Sequence, residues 1–283
     1  MNKAIFAAIT SLALMSGSAS ATEPLTGYAP INGLEMYYEI YGEGEPLVLL
    51  HGAYMSIPSN WQALIPALSE NRQVIAVELQ GHGRTSDADR PLTYEGMADD
   101  VAALLDYLDV SKADIFGYST GATVAVQIAV RHPEIVDQLV AASAWYASTG
   151  FAPSYEQMIA GITPEMFAGT PMAEDDGLPV LIDKLKALDL TPFAFPEADI
   201  AGIKAQTFLI FGDSDIVTLD HAVAMFNLLG GGRNGDMEGL AKNRLAILPA
   251  STHTAVAVGQ NDRLLEMVEQ FLDGEAPKSM MEQ

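Results

Sequence analysis

Residues 113–122 read Ala-Asp-Ile-Phe-Gly-Tyr-Ser-Thr-Gly-Ala and contain the pattern Gly-x-Ser-x-Gly centred on Ser119. A buried strand is predicted before the pattern, and small residues recur at helical spacing after it. We therefore expect a sharp strand-to-helix turn, in which the two glycines relieve crowding and the Ser119 hydroxyl is held out. This turn directs the Thr120 backbone N–H and the positive end of the helix at oxygen charge beside the serine. The context predicts a nucleophilic serine.

Short apolar stretches typical of buried strands alternate with stretches of helical periodicity along the rest of the chain. We predict strands over residues 35–41, 46–50, 73–79, 113–116, 138–142, 207–211 and 245–248. We predict helices over residues 60–68, 94–108, 120–131, 219–228 and 261–272. The alternation predicts an α/β fold with a mostly parallel central sheet and helices on both faces.

This rhythm breaks over residues 148–198, where six prolines interrupt short helical stretches. We interpret the segment as an inserted helical cap, and residues 22–147 and 199–283 as the core. Bulky residues of the cap and of the neighbouring loops are candidates for a substrate pocket, and packing of the cap onto the core is the alternative for most of them. The pocket candidates are Tyr54, Trp145, Tyr146, Phe167 and Val217.

The first residues predict a secretory signal peptide over residues 1–21. Lys3 precedes an apolar run over residues 4–15, which is too short for a hydrocarbon core of about 30 Å. Ala19 and Ala21 offer small residues for cleavage. We therefore expect a periplasmic or extracellular protein with no membrane anchor after cleavage. The chain has no cysteine, which excludes disulfides, thiol chemistry and a lipid-modified cysteine.

The composition restricts the partners. With 37 acidic and 14 basic residues the net charge is −23, and such a surface repels nucleic-acid phosphates and anionic lipids. We therefore expect a small-molecule substrate and no nucleic acid, while the oligomeric state stays open. The glycine-rich residues 230–236 lack the features of a phosphate loop or a calcium β-roll, so we expect a surface loop.

A serine hydroxyl requires a neighbouring base, and the base works best when a carboxylate orients it. Of the five histidines, only His253 follows a late predicted strand in a short polar loop. The acid is expected at the carboxyl end of a strand between serine and histidine, where Asp213 and Asp215 both qualify by position. We favour Asp215, which lies farther into the loop, and expect Asp213 to brace the turn.

In the order nucleophile, acid, histidine, the chain resembles the α/β-hydrolase superfamily over roughly residues 25–272. His51-Gly52-Ala53 looks like the family's oxyanion loop, which implies that the Ala53 N–H is the second donor beside Thr120. Residues 81–86 and 249–253 are also similar to family segments, and the inserted segment lies where the family carries its cap. The sequence departs from the family at Glu78, at Thr120 and in the 230–243 insertion, and none of these removes a reacting group.

The resemblance implies hydrolysis of a carboxylic ester or lactone through an acyl-enzyme, with no metal or coenzyme. Ser119 would attack, His253 would transfer the proton, and Asp215 would orient His253. The apolar lid favours a small or medium substrate with an uncharged acyl group. Cofactor-free perhydrolysis of the haloperoxidase kind, carbon–carbon bond hydrolysis and amide cleavage are alternatives that use the same triad. A ligand receptor with feeble turnover is the alternative of another class. A serine nucleophile, in place of an aspartate, gives poor support to the dehalogenase and epoxide-hydrolase branches.

Overall fold

The computed structural model describes residues 23–259 and 261–274. The signal peptide predicted over residues 1–21 lies outside this range and stays a prediction. Within the described residues, no helix combines the length and the apolar character that a bilayer span requires.

The described residues form one eight-stranded sheet with the order β1-β2-β4-β3-β5-β6-β7-β8. The strands are β1 (Leu25–Ile31), β2 (Leu34–Tyr41), β3 (Glu45–Leu50), β4 (Arg72–Val77), β5 (Ala113–Tyr118), β6 (Val136–Ala142), β7 (Gln206–Ser214) and β8 (Arg244–Thr252). β2 pairs antiparallel with β1 and with β4, and every pair from β4 to β8 is parallel. The prediction of a mostly parallel sheet is confirmed.

Helices cover both faces of the sheet. They are α1 (Ile57–Trp61), α2 (Ile65–Leu68), α3 (Tyr94–Tyr107), α4 (Thr120–Arg131), α5 (Tyr155–Ala160), α6 (Leu178–Leu190), α7 (Glu197–Ala201), α8 (Leu219–Leu228), α9 (Gly235–Glu238) and α10 (Asn261–Asp273). Strand β3 shows how the sheet separates two cores. Leu47 and Leu49 pack with residues of α1 and α10, while Val48 and Leu50 pack with residues of α3 and α4. Because successive side chains of a strand point to opposite faces, a continuous apolar run covers both sides.

Several predicted boundaries differ from the structure. Strand β1 was not predicted, because it lies at the sheet edge and only its last residues alternate between exposed and buried positions. The helix predicted over residues 60–68 is two short helices, and Pro66 lies in the first turn of the second, where proline fits. Residues 249–252, predicted as a loop, extend β8, so His253 directly follows the strand.

The chain between β6 and β7 carries α5, α6, α7 and three short 3₁₀ turns. It is tied to the core by antiparallel bridges between Phe151 and Val217 and between Ala147 and Ala194. The exact division into core and cap at residues 148 and 198 stays a prediction. The parallel strands β3, β5, β6, β7 and β8 all end at the same edge of the sheet, so the loops that follow them can meet there.

Candidate active site

Ser119 lies in the turn between β5 and α4 with φ 55° and ψ −122°, a left-handed conformation that is rare for a non-glycine residue. Glycine is required at the two flanking positions because other backbone atoms approach them closely. A Cβ on Gly117 would lie 2.3 Å from the Gly121 carbonyl oxygen, and one on Gly121 would lie 2.2 Å from the Leu50 oxygen. The Ser119 N–H donates to the Ala142 carbonyl at 2.8 Å, which fixes the turn against β6. The strained turn therefore holds the hydroxyl at the edge of the sheet.

The His253 ring lies between the serine and a carboxylate. Its Nε2 is 2.9 Å from Ser119 Oγ, and its Nδ1 is 2.6 Å from Asp215 Oδ1. An ionised carboxylate accepts hydrogen bonds only, so Nδ1 carries a proton and Nε2 of the neutral ring is left to accept the serine proton. The Tyr118 hydroxyl donates to the His253 carbonyl at 3.0 Å and braces the loop. The geometry is that of a nucleophile, its base and the group that orients the base.

The side chain of Asp215 is fully buried but remains charged. Burial raises the pKa of its carboxyl, and hydrogen bonds from His253, Ser143 and the Gly212 N–H outweigh that effect, so the pKa lies below the ordinary value. The Ser143 hydroxyl donates to Oδ2 at 2.6 Å, and the Gly212 N–H donates to the same oxygen at 3.2 Å. The carboxylate is therefore ionised at neutral pH and can stabilise an imidazolium beside it.

Asp213 has a different position, in spite of its proximity in sequence. Its exposed carboxylate accepts hydrogen bonds from the N–H of Ala250 at 2.8 Å and of Ser251 at 3.2 Å. These backbone donors lower its pKa. Asp213 joins the ends of β7 and β8 and, unlike Asp215, makes no hydrogen bond to His253.

The two predicted oxyanion donors are Thr120, which directly follows Ser119, and Ala53, which lies in the loop after β3. Gly52 packs against the nucleophile so closely that a Cβ on it would lie 3.2 Å from Ser119 Cβ, and Ala53 is the next residue. The Asn60 Oδ1 accepts from the Gly52 N–H at 3.0 Å and holds this loop. The N–H groups of Ala53 and Thr120 have no acceptor among the described residues. Both can therefore donate to a bound oxygen, and their assignment as oxyanion donors stays a prediction.

The other four histidines lie away from Ser119. Burial lowers the pKa of His51 to about 4 and that of His82 to about 3, and the two neutral rings pack 5.0 Å apart behind the β3 loop. Burial also lowers the pKa of His221 to about 4, and His132 pairs with Asp99 at the end of α4. His253 is thus the histidine that contacts the serine.

The pocket candidates have different environments. Tyr54 follows the oxyanion loop, and its ring lies 5.5 Å from that of Phe167. Trp145 and Val217 are almost fully buried and belong to the apolar core. Tyr146 stacks on the His221 ring at 4.2 Å. None of these contacts shows a bound substrate, and the pocket assignment stays a prediction.

No group of three or more histidine, aspartate or glutamate side chains suited to a metal ion occurs in the described part of the chain.

Three positioning residues were missed by the sequence analysis, namely Asn60, Tyr118 and Ser143. Ser143 was the easiest of them to predict, because it directly follows β6 at the sheet edge where the other site residues lie. It also has φ 56°, a conformation that no sequence pattern indicates. The signal for the other two is weaker, since a buried asparagine in a helix and a tyrosine in a strand are ordinary residues.

Comparison with known proteins gives a consistent fold. A family model described as the alpha/beta hydrolase fold matches residues 45–180. The solved structure of a meta-cleavage product hydrolase from Pseudomonas fluorescens is similar, with a TM-score of 0.69, 23% identity, and coverage of 89% of this chain and 98% of that one. At this identity the likeness concerns the fold.

Curated relatives are similar over shorter stretches. The chain is 38% identical over 125 residues to the dihydrolipoyllysine-residue acetyltransferase component of an acetoin cleaving system from Pseudomonas putida, which is 44% of this chain and 34% of that protein. It is 38% identical over 122 residues to a soluble epoxide hydrolase from Corynebacterium, which is 42% of this chain and 41% of that protein. The match thus spans less than half the length of either relative, and the two names describe different reactions.

Proposed function

Since this chain belongs to the α/β-hydrolase superfamily, we propose that it is a serine hydrolase that cleaves a carboxylic ester or lactone through an acyl-enzyme. The observation that carries the proposal is the unbroken contact from Ser119 Oγ to His253, at 2.9 Å, and from His253 to Asp215, at 2.6 Å. All three residues follow strands of the same sheet, so the arrangement is fixed by the core of the fold.

The reaction uses these groups in order. His253 Nε2 takes the proton of the Ser119 hydroxyl while the serine oxygen attacks the ester carbonyl. The negative charge moves to the carbonyl oxygen, where the N–H groups of Ala53 and Thr120 donate to it. The imidazolium, stabilised by Asp215, then returns the proton to the leaving alcohol as the carbon–oxygen bond breaks. Water attacks the acyl-enzyme by the same route, and none of these steps requires a metal or a coenzyme.

The walls of the site support an acyl group of small or medium size. Trp145 and Val217 form a buried apolar surface, and the paired rings of Tyr54 and Phe167 lie beside the oxyanion loop. This apolar and aromatic lining is the basis on which we propose an acyl group of small or medium size.

The experiment that tests the proposal combines a covalent probe with a substrate series. A fluorophosphonate should label the native protein on Ser119 and leave the Ser119→Ala variant unlabelled. The native protein should hydrolyse short p-nitrophenyl esters, and Ser119→Ala should reduce kcat by on the order of 10³-fold or more. A native protein that takes no label and turns over no ester would support the receptor alternative instead. Parallel assays with hydrogen peroxide in place of water distinguish perhydrolysis.

A further inference from the structure

A buried polar cluster lies between the cap and the core. Asp189, at the end of α6, is only 5% exposed, and its Oδ1 accepts from the Tyr94 hydroxyl at 3.2 Å. The Trp145 indole N–H in turn donates to the Tyr94 oxygen at 3.1 Å. Tyr155 is buried beside this carboxylate, and its pKa is raised by burial and by Asp189. We call these four residues the Asp189 cluster.

The Asp189 cluster adjoins the segments that carry the triad. The Trp145 backbone N–H donates at 3.2 Å to the hydroxyl of Thr123, which lies in the first turn of α4 after the nucleophile. The Tyr155 ring stacks on Phe151 at 3.9 Å, and Phe151 bridges to Val217, two residues after the acid. The cluster therefore packs against the segments that follow Ser119 and Asp215.

Tyr54 lies close to the Asp189 cluster, on the side of the oxyanion loop. Its backbone has φ 59°, and it directly follows Ala53. Its hydroxyl oxygen is buried and has no hydrogen-bond partner among the described residues. Burial and the nearby Asp189 raise the pKa of Tyr54, so the phenol is neutral and can both donate and accept.

A buried hydroxyl without a partner is costly and uncommon in folded proteins. A polar group of a bound molecule would satisfy it, and the position of Tyr54 next to the oxyanion loop puts that molecule in the substrate pocket. Asp189, whose charge acts on the Tyr54 hydroxyl, sets the sign of the charge that can approach. Arg90 and, on α6, Lys184 are paired with Asp100 and Asp87.

We infer that Tyr54, backed by the Asp189 cluster, recognises a neutral or cationic hydrogen-bonding group that the substrate carries away from its scissile carbonyl, and that the pocket disfavours a second carboxylate there. The inference rests on the proposed ester hydrolysis and narrows its substrate class. A hydroxyl or an amino group is the expected partner of Tyr54, since either can bond the phenol without repulsion from Asp189.

The test compares matched p-nitrophenyl alkanoates of graded chain length with their ω-hydroxy and ω-carboxy counterparts at pH 8. At the chain length where the difference is largest, we expect the native protein to favour the hydroxylated ester over the parent by about fivefold in kcat/KM, as one net hydrogen bond allows. Tyr54→Phe should bring this ratio to about one, because the phenylalanine ring has no hydroxyl to bond the substrate. Asp189→Asn should relax the discrimination against the carboxylated ester.

Tyr28→Phe, at an exposed tyrosine of β1, is the matched control and should keep the native ratio. Fluorophosphonate labelling at the native rate shows that each variant has a folded, reactive site. Equal losses for parent and hydroxylated esters in Tyr54→Phe would overturn the inference, since a residue that only positions the loop affects both. A native ratio of one at every chain length, with the ester activity intact, would also overturn it without affecting the proposed function.

Discussion

Two buried carboxylates in this molecule have pKa values that are shifted in opposite directions. Asp215, at the end of β7, has a fully buried side chain and a pKa below the ordinary value. Asp189, at the end of α6, is almost as deeply buried, and its pKa is raised to about 6. Burial raises the pKa in both cases, because it disfavours the charged form.

The difference lies in the donors that surround each carboxylate. Asp215 receives hydrogen bonds from an imidazole, a hydroxyl and a backbone N–H. Asp189 has the phenol of Tyr94 at 3.2 Å and Tyr155 nearby, which lower its pKa by less than burial raises it. The depth of burial therefore does not decide the direction in which the pKa of a buried carboxyl shifts, whereas the number and the kind of its hydrogen-bond donors do.

The largest effect is expected at Asp215, the member of the pair whose pKa is lowered. Asp215→Asn should lower kcat by on the order of 10⁴-fold, because an amide can no longer hold the His253 tautomer or stabilise the imidazolium. Steady-state kinetics on a p-nitrophenyl ester measures the loss, and far-UV circular dichroism checks that the fold is intact.

The matched control for this substitution is Asp213→Asn, two residues away. Its carboxylate bonds only to the β8 backbone and to Ser214, so kcat should stay within a few-fold of the native value. The reverse ranking of the two variants would assign the acid to Asp213.

A smaller effect is expected when one donor to Asp215 is removed. Ser143→Ala deletes the 2.6 Å hydrogen bond to Oδ2, and a hydrogen bond to a charged group contributes about 1.5 kcal/mol or more. We expect kcat to fall about tenfold with KM little changed. Ser214→Ala is the control, because that hydroxyl bonds to Asp213. Equal kcat values for the two serine variants would show that the hydrogen bond from Ser143 to Asp215 does not support catalysis.

The smallest effect concerns the pH dependence of stability at Asp189. Its carboxyl binds a proton more tightly in the folded protein, with a pKa of about 6, than at the ordinary value of 3.8, so its contribution favours the folded state at low pH. That contribution is lost as the pH rises through 6. Relative to native protein, Asp189→Asn should therefore gain about 1 kcal/mol in free energy of unfolding between pH 5 and pH 7.5.

Urea unfolding at both pH values measures this change. Asp183→Asn, at an exposed carboxylate of the same helix, accounts for the general effect of removing one negative charge. A difference between native protein and Asp189→Asn that is the same at both pH values would contradict the contrast between the two buried carboxylates.

The sequence predicted the parts of the site that depend on local geometry. Ser119 was predicted because other backbone atoms approach Gly117 and Gly121 too closely to leave room for side chains. This constraint is visible in the sequence, since both glycines lie two residues from Ser119. His253 and Asp215 were found from their positions after strands, since parallel strands end at one edge of the sheet. Ser143 was missed because its role depends on a side chain 72 residues away.

The sequence by itself determined the fold class and the order of Ser119, Asp215 and His253 along the chain, and it predicted Ser119 as the nucleophile. All three follow from hydrophobic periodicity and from the sterics of one turn, which act over a few residues. Only the tertiary structure decided which of two aspartates meets His253, which hydroxyls surround each carboxylate and that the Tyr54 hydroxyl is buried without a partner among the described residues. Those features depend on side chains that come together from distant segments, and hydrogen bonding and desolvation are set by that assembly.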